Sequence, residues 1–196
     1  MITNINSQIP IDICCLDLET TGLDENVHEI VEIAAIRGKI TNGKLNISKK
    51  FNVKILPTKP VNPKVAKYNG YNEETWKQAP NLTSLANGVG GLVDMMEGAW
   101  HIGSNPDYDR RFLTKAFKKL NWVYPTVKSH HVLDVPMLYF DLYLSGKVEK
   151  IQQEIISNYL GFKPYEAHRA LSDTYRCLEL FAHKYEYEII DPENDT

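Results

Sequence analysis

The chain of 196 residues is long enough for one well-buried core and short for two, so a single domain over 1–196 is expected. With 43% hydrophobic and 24% charged residues, and no apolar run near the roughly 18 residues of a membrane span, it reads as a soluble protein. MITNINSQIP lacks the basic start and apolar core of a secretory signal and a formal net charge of −3 excludes a uniformly basic chain, so a cytoplasmic location and no membrane partner are expected.

Ile11 to Leu16, broken only by Asp12, is too short for a helix and reads as a strand buried on both faces. Its Cys14 and Cys15, with the distant Cys177, lack the paired C-x-x-C spacing of a zinc or redox site and are expected to be reduced and buried. Glu29 to Lys39 and Leu45 to Leu56 are two further strands, joined at Asn42-Gly43 by a tight hairpin. Pro57 to Pro63 ends this series, short helical pieces follow, and a helix is expected from Asn81 to about Met96. Ala99 to Gly103 is a short strand. Phe112, Leu113, Ala116, Phe117 and Leu120 recur at helical spacing within Tyr108 to Leu120. A strand around His131 to Leu133 precedes helical spacing through Leu138, Leu142 and Tyr143, a helix between Ile151 and Leu160, and a last helix from Leu171 to about Tyr185. The core should span about 11–187, and residues 191–196 form a polar tail expected to be disordered.

Strands in series, then strands alternating with helices, predict an α/β fold: a mixed five-stranded sheet of three sequential antiparallel strands and two later ones parallel to the first, flanked by helices. Ligand sites in such sheets gather at the carboxyl ends of the strands. Charge is segregated along the chain. No acid lies between Glu32 and Glu73, where Arg37, Lys39, Lys44, Lys49, Lys50, Lys54, Lys59, Lys64 and Lys67 fall, nor between Arg110 and Leu133, which holds Arg110, Arg111, Lys115, Lys118, Lys119 and Lys128. Such stretches suit solvated faces, or a basic rim that steers a phosphate backbone.

Asp17 and Glu19 end the first strand two residues apart, so both side chains point to one face. Two carboxylates that close repel each other, and a hard divalent cation with oxygen ligands removes the conflict; an exposed strand end would give the same letters. Asp107 and Asp109 mark the passage from a strand into a helix, where either could be a first-turn acid. His168 and Asp173, five residues apart, would be turned by about 500° on a regular helix. They can act together only if His168 lies on the loop entering the helix and Asp173 in its first turn.

Together these stretches resemble, in order and spacing, the three motifs of the DEDDh-type 3′–5′ exonucleases, the superfamily of the proofreading epsilon subunit of DNA polymerase III, ribonuclease T and oligoribonuclease. Asp17-Leu18-Glu19-Thr20-Thr21-Gly22 matches the first motif. Asn105, Tyr108, Asp109, Phe112 and Leu113 match the second, selecting Asp109 over Asp107. His168, Ala170 and Asp173 match the third. NGYNEETWKQAP, Asn69 to Pro80, is similar to a further family segment, with Asn69 where histidine is common.

The resemblance implies a ribonuclease-H-like fold and two divalent cations, Mg2+ or Mn2+. Asp17, Glu19 and Asp173 would hold one and Asp17 with Asp109, partly through water, the other. Ions about 3.5–4 Å apart would clamp the scissile phosphate, activating the water nucleophile and stabilising the leaving 3′ oxygen. His168 would be the general base, its pKa near the working pH. Thr20, Gly22, Leu23, Asn105 and Tyr108 would meet the terminal nucleotide, and Asp134 would be structural. The implied function is removal of nucleoside 5′-monophosphates from single-stranded or frayed 3′ ends of DNA, with a DNA polymerase as a candidate partner. An RNA exonuclease resembling oligoribonuclease or ribonuclease T is the alternative; ETTG and NGYNEETW lean toward the epsilon-like branch. A module that kept the fold and lost the chemistry would need a missing acid or histidine, and all five positions are filled.

Overall fold

The structure, a computed structural model, describes residues 9–84, 90–165 and 169–193. Strands β1 (Ile11–Thr20), β2 (Ile30–Thr41) and β3 (Lys44–Lys54) form the expected antiparallel series. Between β2 and β3 both Asn42 (φ 52°) and Gly43 (φ 75°) are left-handed, the mirror-image turn whose twist suits paired strands. Strand β4 (Trp100–Gly103) pairs parallel with β1, and β5 (Leu133–Asp134) parallel with β4.

A sixth strand, β6 (Glu188–Ile190), lies parallel to β3, giving the order β5-β4-β1-β2-β3-β6. The expected count of five stops one short because three residues cannot show a period-two pattern. Just beyond β6, Asp191 is buried, 2.7 Å from the Lys50 ammonium and accepting a hydrogen bond from the Tyr175 hydroxyl at 3.0 Å. The start of the stretch expected as a tail is thus held to the sheet; residues 194–196 lie outside the described residues.

The helices are α1 (Pro63–Asn69), α2 (Glu73–Trp76), α3 (Gly90–Met96), α4 (Pro106–Lys119), α5 (Phe140–Leu144), α6 (Gln153–Tyr159) and α7 (Ala170–Tyr185), with a 3-10 turn at Pro136–Tyr139 entering α5. Of the helix expected from Asn81 to about Met96, residues 82–84 are turn and 3-10, and α3 runs from Gly90 to Met96. The Asn81 side-chain oxygen accepts the Ser84 N–H at 2.8 Å, the bond by which a cap residue satisfies a free N–H; residues 85–89, which the expected helix would cross, lie outside the described residues.

Period two in β1 decides which helix meets which side chain. Cys14, Leu16 and Leu18 pack in one core layer with Leu92 and Met95 of α3 and Phe112, Leu113 and Phe117 of α4. Ile13 and Cys15 pack in the other with Cys177, Leu178 and Phe181 of α7, and the Cys15 thiol donates to the Thr174 carbonyl at 3.6 Å. All three cysteines are free and buried, and burial pushes the Cys14 thiol up to about 12. Trp76, 1% exposed, donates its indole N–H to the Val31 carbonyl at 2.7 Å, pinning the segment after β3 to the sheet. Among the described residues no helix is long and apolar enough to cross a membrane.

Candidate active site

Asp17 and Glu19 continue the row set by Ile13 and Cys15, so the face that is apolar against the body of α7 turns acidic where α7 begins. There Asp173, in the first turn of α7, brings a carboxylate oxygen to within 4.8 Å of oxygens of both Asp17 and Glu19. Asp109 arrives from the other layer, in the first turn of α4. It is buried, and its Oδ1 accepts the Leu18 N–H at 3.1 Å, tying α4 to the end of β1.

Burial raises the proton affinity of these acids, and their mutual repulsion adds to it. Asp17 is driven well above the usual carboxylate range by burial and then by Asp109, Asp173 and Glu19. Glu19 is pushed up to about 8 by burial, then by Asp173 and Glu32. Asp109 is pushed up to about 8 by burial, against the lowering effect of the Leu18 N–H. An all-oxygen donor set under this strain fits a hard divalent cation.

Several supporting residues escaped the sequence reading. Asp173 Oδ1 accepts Gln153 Nε2 at 3.0 Å and Arg176 Nη1 at 2.8 Å, and Arg176 Nη2 reaches the Tyr165 carbonyl at 3.2 Å. Glu32 lies directly across from Glu19 in the β1–β2 pairing, with Arg169 Nε 3.4 Å from its carboxylate. The signals were present: Glu32 interrupts a buried apolar strand, and Asp173 and Arg176 are three apart, a helical pair spacing.

The turn after β1 is closed by Thr21 N–H to the Glu29 carbonyl (2.9 Å) and Glu29 N–H to Thr21 Oγ1 (3.0 Å). A Cβ on Gly22 would fall 2.5 Å from the His28 ring, so any side chain there would force the ring or the turn to move. The Thr20 and Tyr108 hydroxyls are 2.5 Å apart and reach the Gly22 carbonyl at 2.8 and 2.9 Å. Buried Asn69 supports the turn from behind, donating to the Thr20 carbonyl at 2.7 Å while accepting the Tyr71 N–H at 3.0 Å. The residue standing in place of a histidine therefore grips the turn itself. Leu23 projects from it, 82% exposed.

Asn105 is left-handed (φ 55°), and its N–H donates to Asp134 Oδ1 at 3.2 Å, a structural use of that acid. Asp107 is exposed and pairs with Arg110 and Arg111, apart from the acidic group. His168 lies outside the described residues, between Tyr165 and Arg169.

Carboxylates gathered at the carboxyl end of a central strand, with helices on both faces, define an α/β protein whose acids suit hard cations at that end of the sheet. The chain belongs to the RNase_T exonuclease family, whose model matches residues 14–181, within the DEDDh-type exonuclease superfamily. It is 29% identical over 169 residues to the PolC-type DNA polymerase III of Thermotoga maritima, covering 85% of this chain and 11% of that protein. It is 25% identical over 165 residues to the DNA polymerase III subunit epsilon of Treponema pallidum, covering 84% and 72%. The chain thus spans about a tenth of the PolC-type relatives it matches. The fold is shared with exonuclease I (TM-score 0.73, 14% identity, 91% of this chain and 41% of that one). It is shared also with the nuclease domain of 3′hExo, a DEDDh family member bound to rAMP (TM-score 0.68, 17% identity, 92% and 96%).

Proposed function

We propose that this chain is a 3′–5′ exonuclease that releases nucleoside 5′-monophosphates from single-stranded or frayed DNA ends. The observation that carries the reading is the convergence of Asp17, Glu19 and Asp173 within 4.8 Å, with Asp109 beside them at the end of a strand inside the family match. Asp17, Glu19 and Asp173 would hold one Mg2+ or Mn2+, and Asp17 with Asp109 a second. Bound divalent ions supply charge neutralisation at the scissile phosphate and activation of the water nucleophile.

The protein's own contribution is positioning and proton transfer. Gln153 and Arg176 fix Asp173 through one oxygen. Thr20, Gly22, Tyr108 and Asn105 form the wall for the terminal nucleotide, and exposed Leu23 is a wedge beside its base. His168, on the segment entering α7, takes the proton from the attacking water. His168→Ala should lower kcat about 100-fold or more and flatten the acid limb of the pH–rate profile; an unchanged profile would remove it from that role. Tyr108→Phe deletes the hydroxyl at Gly22 but keeps the ring against Phe112, whose centroid is 4.9 Å away. A loss of roughly 5- to 10-fold in kcat/KM is expected with little change in melting temperature, measured by steady-state kinetics and calorimetry.

DNA is favoured by the polymerase III relatives, and action beside a polymerase in the cytoplasm would follow from them. RNA is the second reading, supported by fold neighbours that include a 3′-exonuclease bound at a histone mRNA stem-loop (TM-score 0.70). Product analysis on matched single-stranded DNA, single-stranded RNA and mismatched-primer DNA, with Mg2+ or Mn2+, separates them. Release of mononucleotides from none of the three would overturn the proposal.

A further inference from the structure

Cations of the two acid-free basic stretches meet different fates. In the first, Arg37 and Lys39 face Asp12, Lys44 faces Glu188, and Lys50 faces Asp191 and Glu193. Those cations fasten the sheet and its far edge. In the second, every cation but Lys128 lies on α4, the helix that carries Asp109 and Tyr108 into the candidate active site.

Arg111, Lys115 and Lys119 succeed one another at four-residue steps, so they form a ridge with about 6 Å of rise per step. The ridge starts at the site. The Arg111 guanidinium lies 5.8 Å from the centre of the Tyr108 ring and is bonded to Glu25 at 2.7 Å. One turn on, Lys115 Nζ donates to Asn26 Oδ1, a neutral acceptor in the same loop. Neither Lys115 nor Lys119 is in an ion pair among the described residues, and both are exposed.

Between this ridge and the loop after β1 lies a cleft of about 210 Å³, below the roughly 300 Å³ from which small-molecule pockets begin. Its apolar lining comes from Ile30, Ile55 and Phe112, and Lys59 stands on the opposite wall. The acids there are engaged: Glu25 by Arg111, and Glu29 by the Thr58 hydroxyl and the N–H groups of Thr58 and Lys59. Asp24 of the same loop feels the Lys115 charge without forming an ion pair with it among the described residues, and an apolar lining rimmed by such exposed ammonium groups suits a base with phosphates on either side.

We infer that the α4 ridge of Lys115 and Lys119, with the cleft beside it, is the track for the single strand on the 5′ side of the terminal nucleotide. The inference rests on the exonuclease reading and adds to it a binding surface for the internucleotide phosphates. Arg111 keeps the loop and the ridge together, and Lys115 and Lys119 take successive phosphates. Activity on a strand should therefore depend on its length and on salt.

The test is the K115E/K119E double variant, with K115Q/K119Q as a milder control, assayed with Mn2+ on a 12-nucleotide single strand. The p-nitrophenyl ester of thymidine 5′-monophosphate, which has no upstream phosphates, is the second substrate. The ratio of kcat/KM on the 12-mer to that on the ester should fall about ten-fold for the glutamate pair and less for the glutamine pair, through KM. The slope of log affinity against log salt for the 12-mer should become shallower by about 1.4, or about 0.7 for each phosphate that the variant no longer neutralises. An unchanged ratio and salt slope in a folded variant would overturn the track. Loss on both substrates in proportion would also overturn it, placing the lysines' role in the fold. Wild-type protein inactive on both substrates would instead sink the exonuclease reading, and the salt slope of 12-mer binding in Ca2+ would still judge the track alone.

Discussion

Asp17→Asn should reduce metal-dependent release of mononucleotides at least about a thousand-fold while raising the melting temperature of the metal-free protein. The activity loss follows from the position of Asp17, the one acid proposed to touch both ions. Removing several kcal/mol of charge stabilisation from the transition state corresponds to roughly three orders of magnitude. The stability gain follows from the same geometry. Burial, and then Asp109, Asp173 and Glu19, raise Asp17 well above the usual carboxylate range, so folding near neutral pH requires it to take up a proton, a cost that an amide of the same shape avoids. Kinetics in saturating Mn2+ and calorimetry in EDTA measure the two effects. Substantial residual activity, or a melting temperature that falls in EDTA, would contradict this account of the cluster.

Metal removal should make stability strongly dependent on pH in an unusual direction. Unfolded carboxylates titrate near 4, whereas folded Glu19 and Asp109 hold their protons to about 8, and Asp17 is raised as well. Between those limits the folded state binds more protons than the unfolded state. The stabilisation is therefore complete below about pH 4 and is lost as the pH rises to about 8. Buried His101 works the other way: its pKa falls from 6.5 to about 4, so its contribution grows between those values and is constant above 6.5. The clean window is pH 6.5 to 8. One proton over that interval is worth about 2 kcal/mol, or roughly 4–8 °C in a chain of this size. The melting temperature in EDTA should drop by at least about 5 °C across the window, and millimolar Mn2+ should remove most of the slope. A flat profile in EDTA would show that the cluster does not repel itself as its geometry requires.

Much of this was legible because local chemistry and tertiary role coincide. The Asn42-Gly43 hairpin could be placed by its residues alone, since only a left-handed pair closes so short a turn with the right twist. The acids of β1 could be read because period two forces Asp17 and Glu19 onto one face whatever packs there. Choosing Asp109 over Asp107 needed the spacing of its motif. The structure gives the physical difference: Asp109 is buried against the Leu18 N–H, while Asp107 stays in solvent with two arginines. Where reading fell short, a pairing with a remote segment was responsible. Strand β6 is too short to signal itself and exists because β3 offers it an edge.

The sequence by itself determined which side chains are candidates for the chemistry and their order along the chain, because strand alternation and helical spacing are local properties of the backbone. Only the tertiary structure decided which of them meet. Asp17 and Glu19 face Asp173 because α7 covers that layer of the sheet, and Asp109 reaches them from the opposite layer through the Leu18 N–H. Asn69 holds the turn at Thr20 across 49 positions, and Lys44 and Lys50 become fasteners while Lys115 and Lys119 stay on an open ridge, according to the acids folding brings to them. Such pairings depend on distances between residues remote in sequence, which no local period encodes.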